Sequence, residues 1–592
     1  MTYQEKLAQI RHQMKADNVQ AYIIPSADPH ISEYLPKHYK CIPFTSGFRG
    51  SAGTLVITHD HAGLWTDFRY FEQAVDELKD SGFELMKQKV QHAPEYIQWL
   101  VEKLDKGGVV AADDKLLSIL LGDLLTQQFA VKEISLTSKD YLSPIWENRP
   151  PLPSEKAFLI DDKHIGQSVK SKLAQVRTTL KKQGASHHLI SSLDDLAWLF
   201  NIRGKDVNYN PVVLSFALIN QDHATLYMDV DKLSHEEKEN LLNNGVEVLP
   251  YAAIEQAISN IPANSSIFID PKRNCFAFYK LIPASVRIIK DTNPTTNLKA
   301  VKNETELANT RAAMLKDGVA ITRFLKWLSE NIGKTTITEL SAAAELRKFR
   351  EQQEGFIGDS FNTISAYKAH GALPHYAASA ESNVEVKAEG LFLVDSGGQY
   401  FYGTTDITRT IPMGNNTEEE STDYTLVLKG MIDGCKVRFP KGTCGYQIDA
   451  ITRKPLWDYA INYGHGTGHG VGYFLNVHEG PQVFNPTANP VAVELGMITS
   501  VEPGVYRPGK HGIRIENLVN TIADVSNEFN EFYAFEALTI APISTKIVKK
   551  ELLEQSQIDW LNGYNALVFE KLSPLLNADE TAWLKAETAQ IK

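Results

Sequence analysis

The 592-residue chain lacks most of the features that would assign it to a function class on sight. It has only four cysteines, Cys41, Cys275, Cys435 and Cys444, and no Cys-x-x-Cys pair. That excludes a disulfide framework and a Cys-rich zinc site, and leaves free thiols of a reducing compartment. No apolar run approaches the length of a membrane span. The opening MTYQEKLAQIRHQMKADN reads as a polar amphipathic helix without the apolar core of a signal peptide. The expectation is a cytoplasmic chain that meets no membrane. No basic tract offsets the formal charge of −12, which argues against nonspecific nucleic-acid binding. The chain has no Gly-x-Ser-x-Gly elbow and no His-Glu-x-x-His helix, because His478-Glu479 lacks the second histidine. Gly464, Gly466, Gly468, Gly470 and Gly472 let the backbone approach something closely, but they match neither a dinucleotide fingerprint nor a Walker loop.

What is present is ordinary globular protein, 43% hydrophobic and 22% charged, and long enough for three or four domains. Lys6-Leu7-Ala8-Gln9-Ile10-Arg11 returns as Lys172-Leu173-Ala174-Gln175-Val176-Arg177, an offset of 166 residues. At the same offset each copy ends its helix near Asp17-Asn18 or Gln183-Gly184 and runs into an apolar strand, AYIIPSAD or HHLISSLD. A chance echo would not carry helix, strand and Ser-x-Asp together, so two related domains in tandem are expected. The first runs over 1–150, with strands in TLVIT and GLWTDF and helices around 94–105 and 115–127. It closes at the Pro-rich NRPPLPSEK. The second runs over 151–298, with strand signals in VVLSFALI, ATLYMDV and SIFID, and both read as α/β or α+β.

The third domain, 299–592, opens on Asn303-Glu304-Thr305-Glu306, close to a capping box. Leu307, Met314, Ile321 and Leu328, with Leu325, form the expected buried stripe of the following helix. Further helices are expected at about 338–353, 420–436 and 446–461, with a helical tail from Gln557. Between 391 and 518 strand signals dominate. Five side chains there read as one metal site: Asp395, Asp406, His469, Glu502 and Glu516. No two stand at helical i, i+4 spacing, and most lie at or near short β-branched runs ended by Gly or Pro. In GIRIENLV the alternation puts Arg514 and Glu516 on one face. Four carboxylates cannot share a buried pocket as bare anions. Either some are protonated or a cation neutralises them. Hard, oxygen-rich donors of this kind suit two divalent ions such as Mn²⁺ better than a structural Zn²⁺. Two such ions can hold a hydroxide and polarise a carbonyl, which is hydrolytic chemistry.

Three histidines flank the site in sequence: His375, His465 and His478. An imidazole there can donate to a developing oxyanion or orient a peptide carbonyl, although a lone histidine is more often structural. Arg514 is expected to hold a ligand carboxylate by an ion pair.

The segments DSGGQY, GTTDITRT, HGTGHGVG, NVHEGP, SVEPGVY and GIRIEN resemble the metal-binding motifs of the pita-bread metallopeptidases. The likeness is greatest to the three-domain cytosolic aminopeptidase P type and spans the chain, through SGFRGSAGT, LWTDFRYF, LDDLAWLFNIRG, KAVKNETEL and DWLNGY. The resemblance implies two creatinase-like α/β domains followed by a pita-bread catalytic domain with a C-terminal helical extension. It implies that Asp395 binds one metal and His469 and Glu502 the other, with Asp406 and Glu516 bridging. It implies Glu502 as the proton shuttle, and His375 and His478 as catalytic. With His465 they line the substrate site. A Mn²⁺-dependent homodimer acting on peptides with proline at the second position follows from the same likeness. Alternatives left open are a prolidase-type dipeptidase and a catalytically silent binding scaffold.

Overall fold

A computed structural model describes residues 1–90 and 93–592. The chain divides into two compact units. One comprises Met1–Asp162 with Gln167–Thr295, the other Lys163–Gly166 with Thr296–Lys592.

The first unit is the sequence repeat made solid. Helix Tyr3–Ala16 begins at a Thr2 capping box and buries Leu7, Ile10 and Met14. Helix Val169–Lys182 begins at Ser168 and buries, among others, Leu173, Val176 and Leu180, the same three positions one repeat later. Burial of each such side chain contributes about 1.5–3 kcal/mol. Both helices end before a left-handed residue, Asn18 at φ 55° and Gly184 at φ 68°. Each then enters a six-stranded sheet. The first sheet runs Glu84–Lys87, Ala62–Thr66, Thr54–Thr58, Ala21–Pro25, Val109–Ala112, Ser135–Ser138. The second runs Val246–Pro250, Ala224–Met228, Ser215–Asn220, His187–Ile190, Ser266–Ile269, Arg287–Lys290. The order and the pattern of parallel and antiparallel pairs are the same in both. Residues 150–156, the Pro-rich segment, carry no helix or strand.

In the second unit, Asn303 completes a full capping box with Glu306 and starts helix Glu304–Asn331. Leu307, Met314, Ile321 and Leu328 are buried as the spacing predicts, while Leu325 is only partly covered. Helices Glu418–Lys436 and Gly445–Trp457 pack on the core with strands from Phe439 to Tyr533. The second helix stops short of the expected 461, because Ala460 is left-handed at φ 56° and turns the chain. Helices Gln555–Leu572 and Ala578–Glu587 close this core with Leu561, Tyr564, Val568, Leu572 and Leu584. No helix among the described residues is long and apolar enough to cross a membrane.

The strands that carry the five site residues belong to separate sheets. A three-stranded sheet pairs Ile364–Tyr367, Gly390–Ser396 and Ile407–Gly414. A six-stranded sheet includes Gly468–Gly470, Ile498–Val501 and Asn517–Ser526, and a two-stranded ribbon pairs Gly504–Arg507 with His511–Arg514. The expected single strand through GIRIENLV is therefore broken. Arg514 ends the ribbon and Asn517 begins a strand of the larger sheet. Glu516 sits at the crossing.

Candidate active site

Asp395 lies near the end of strand Gly390–Ser396, opposite Ile364 on one side and Thr408 on the other. Asp406 immediately precedes strand Ile407–Gly414, His469 is the middle of Gly468–Gly470, and Glu502 follows Ile498–Val501. Strands or the residues next to them thus deliver every ligand candidate. Close packing brings the strands together: a Cβ on Gly468 would lie 1.8 Å from the Ser500 carbonyl oxygen. The glycine run serves this approach of strand to strand.

Asp406, His469 and Glu516 place one donor atom each within 4.8 Å of one another. His469 Nε2 lies 3.5 Å from Asp406 Oδ2 and 3.5 Å from Glu502 Oε1. Its Nδ1–H donates to the Gly470 carbonyl oxygen at 3.0 Å, which leaves Nε2 turned to the carboxylates. Glu516 Oε2 accepts a hydrogen bond from the Thr408 hydroxyl at 2.8 Å. Asp395 and Glu502 lie outside the tight trio and are joined to it by charge. Arg514 donates to Asp395 Oδ2 at 2.5 Å and stands 3.9 Å from Glu502 Oε2. The arginine thus holds Asp395 rather than its sequence neighbour Glu516.

Tyr506 joins the site without a signal in the sequence. Its hydroxyl accepts from Arg514 Nη1 at 2.7 Å and lies 2.7 Å from His465 Nε2. Nothing in SVEPGVY sets this tyrosine apart from a strand residue. His465 has its other nitrogen 2.7 Å from the Gly466 carbonyl oxygen. His478 meets the face of His469 edge-on, with ring centroids 4.4 Å apart. His375 is half-buried in the turn after Pro374, whose carbonyl accepts from Arg514 at 3.4 Å.

The electrostatics call for positive charge. Burial raises Asp395, and Asp406 adds to the rise while Arg514 opposes it. Burial lifts Glu502 to about 7 even with His469 and Arg514 pulling it down. Glu516 is pushed well up by burial and then by Asp406, Glu502 and Asp395. On His469, burial works downward, yet Asp406 and Glu502 outweigh it and lift the ring to about 9. Asp395 Oδ1 and Glu516 Oε1 are buried without a hydrogen-bond partner. Buried carboxylate oxygens without a donor, beside an imidazole nitrogen, form a donor set for hard divalent ions. The residues present therefore fit a metal centre.

Residues 6–142 and 148–306 each match the creatinase/prolidase N-terminal domain, 308–521 the metallopeptidase family M24, and 531–591 the C-terminal region of peptidase M24. A probable Xaa-Pro aminopeptidase P of Sordaria macrospora is 37% identical over 99% of this chain and 99% of its own. Xaa-Pro aminopeptidase 1 of Dictyostelium discoideum is 38% identical over 98% of this chain and 95% of its own. The crystal structure of X-prolyl aminopeptidase from Caenorhabditis elegans, described as a cytosolic enzyme with a di-nuclear active site, superposes with a TM-score of 0.96. It is 34% identical, and all of both chains is covered. The chain belongs to the metallopeptidase family M24, and it shares its full length with the Xaa-Pro aminopeptidase P members of that family.

Proposed function

We propose that this protein is a Xaa-Pro aminopeptidase, a dinuclear metallopeptidase that hydrolyses the bond between an N-terminal residue and a following proline. The observation that carries the reading is the convergence of Asp406, His469 and Glu516 within 4.8 Å, with Asp395 and Glu502 linked to them through Arg514 and His469. Asp395, Asp406, His469, Glu502 and Glu516 would hold two divalent ions, and their oxygen-rich character favours Mn²⁺. When bound, the ions supply Lewis acidity towards the scissile carbonyl and make water a competent nucleophile near neutral pH.

The chain's own groups supply the rest. Glu502 and His469 are the most open of the five, with side chains 17% and 18% exposed. Glu502 therefore faces the substrate side, where it takes a proton from the attacking water and returns it to the proline nitrogen as the C–N bond breaks. In this reading His478, packed on His469, and His375, next to Pro374, polarise the carbonyl and border the proline ring. His465 shapes the pocket, with Tyr506 and Gly466 occupying its ring nitrogens. Arg514 opposes the rise that burial imposes on Asp395 and fixes its carboxyl group by a hydrogen bond. The bond before proline has no N–H, so a site that does not depend on that donor accepts it.

Cytoplasmic location, a homodimer and domain boundaries at 150/151 and 298/299 are proposed with this reading. The free thiols support the first, the family resemblance the second, and the two matching sheets with their Pro-rich link the third. Sedimentation of the purified protein tests the dimer.

Chelator-stripped protein, with and without added Mn²⁺, tests the function on an Xaa-Pro-Yaa tripeptide, an Xaa-Pro dipeptide and Met-Ala-Ser. The expected result is metal-dependent release of the first residue, mainly from the Xaa-Pro-Yaa tripeptide. Preference for the dipeptide means a prolidase. Preference for Met-Ala-Ser removes the proline specificity. No cleavage with metal bound means a silent scaffold.

A further inference from the structure

The half-buried segment carrying His375 is held on one flank by a carboxylate far from it in sequence. Glu339 is the first residue of helix Glu339–Glu351, capped by Thr338, and it is completely buried. A negative charge there is favoured by the helix N-terminus but has to be hydrogen-bonded to persist. It is. Oε1 accepts from the Tyr367 backbone N–H at 2.8 Å and lies 2.8 Å from His370 Nδ1. Oε2 accepts from the Tyr376 hydroxyl at 2.8 Å and from the Val384 N–H at 3.4 Å. The Glu339 main chain is also engaged, its carbonyl by Ser365 Oγ at 2.7 Å and its N–H by the Val384 carbonyl at 3.1 Å.

These bonds tie both feet and the middle of one arch, residues 367–376. Tyr367 ends the strand whose Ile364 pairs with Asp395. His370 stacks on Tyr376 with ring centroids 4.5 Å apart. Tyr376 directly follows His375. The arch is pinned a second time where Gly371 lies backbone to backbone on Gly512, so close that a Cβ on Gly512 would come within 1.6 Å of the Gly371 oxygen. Two residues further along that strand, Arg514 donates to the Pro374 carbonyl and to Asp395. Glu339 on one flank and the strand His511–Arg514 on the other thus leave His375 little freedom relative to the ligand carboxylates.

We propose that Glu339 is a positioning residue for the peptidase reaction. By clasping Tyr367, His370 and Tyr376 it sets the His375 turn against the metal-ligand strands, and its contribution to turnover acts through His375. The inference rests on the reading above that His375 meets the substrate. In Glu339→Gln one acceptor oxygen becomes an amide donor facing other donors, so the arch loses its fixed pose while the side-chain volume stays.

The test is a double-mutant cycle of Glu339→Gln with His375→Ala in the full-length, Mn²⁺-loaded protein on the Xaa-Pro-Yaa tripeptide. Glu339→Gln alone is expected to lower kcat on the order of ten- to a hundredfold with KM within about twofold, as for a misplaced reacting group. Bound metal should be unchanged. In the His375→Ala background the same change should cost less than about twofold, because coupled residues are not additive. Equal losses in both backgrounds, or a loss of bound metal in Glu339→Gln, would overturn the proposal and make Glu339 a structural residue only. If Glu339→Gln does not fold, Tyr376→Phe, which removes one hydroxyl from the clasp, takes its place in the same cycle with the same criteria. Unmodified protein that releases nothing from the tripeptide, or a silent His375→Ala, would bring down the reading of the site and this inference with it. An active parent with additive losses brings down the inference alone.

Discussion

Replacing Asp406 by Asn exchanges one oxygen for nitrogen and leaves the volume alone, yet it removes a charge from the point where His469 and Glu516 converge. Removing an outer hydrogen-bond partner of a metal ligand typically costs 10–100-fold in affinity or activity, so loss of a direct ligand should exceed about a hundredfold. Asp406→Asn is expected to bind less metal and release no measurable amino acid, with the two sheets of the first unit still folded. Metal analysis, peptide assay and circular dichroism check this, and full activity would remove Asp406 from the ligand set. Tyr506→Phe makes a subtler change at the same scale. It deletes one hydroxyl between His465 and Arg514 and should lower activity by about 10–100-fold without unfolding the protein. Activity within twofold of the parent would show that Arg514 holds Asp395 unaided. The five ligand candidates were legible from sequence because most are carboxylates at or near short β-branched runs ended by Gly or Pro, where acidic side chains have few other uses. Tyr506 was not, since its partners come from a glycine loop and a different strand. Glu339 was hidden for another reason: an acidic residue in the first turn of a helix is common.

At the scale of elements, the helix Glu418–Lys436 is fastened to the ribbon that carries Arg514. Asp423 accepts from Arg507 Nε at 2.5 Å and Nη2 at 2.8 Å, and lies 2.9 Å from His511 Nε2. Burial alone would raise this carboxyl, but the hydrogen bonds from Arg507 and His511 outweigh it and hold it below its ordinary range. A depressed folded-state value gives stability that is fully present above the unfolded pKa of about 3.9 and is lost as pH falls through the depressed one. Asp423→Asn should therefore flatten the acid limb of unfolding below about pH 4. At neutral pH it should cost about 2 kcal/mol, reduced from a fully buried pair because Arg507 is one-third exposed. Urea midpoints from pH 7 to pH 3 measure both, and parallel curves for the two proteins would refute the role of this contact. Gly468→Ala acts on a neighbouring strand. Its Cβ has no room beside the Ser500 oxygen, so the His469 strand has to shift. Both thermal stability and activity should drop, and a normal melting temperature would show that the strand moves freely. Helix periodicity, capping residues and the repeat could be read locally. The break between Arg514 and Asn517 could not, because the alternation of Ile513 to Glu516 lapses only at Asn517-Leu518, and so short a lapse does not tell a change of sheet from a local irregularity.

Over the whole molecule, the chemistry is concentrated in the second unit, and the first repeats one architecture twice. Echoes of a few side chains at an offset of 166 residues were enough to expose that duplication, because the same helix face and the same central strand must be apolar in both copies. Sheet order was beyond them, since neighbours such as Ala21–Pro25 and Val109–Ala112 are set by long-range pairing. The second unit carries a liability at the site. Asp395, Glu502 and Glu516 are all raised by burial, and Asp406 raises each of them further, so folding gathers like charges that the unfolded chain keeps apart. A cation that binds only the folded site reverses this. At a hundredfold excess over Kd, one bound ion adds about 2.7 kcal/mol to folding. For a unit of roughly 300 residues that corresponds to about 4 °C per site. Chelator-stripped protein titrated with Mn²⁺ in a scanning calorimeter should show a transition rising with metal, by about twice that amount when both sites fill. The same titration on Asp406→Asn should shift far less. A metal-independent melting profile in the parent protein would mean that protons, and not ions, neutralise these carboxylates, and the dinuclear reading would fall.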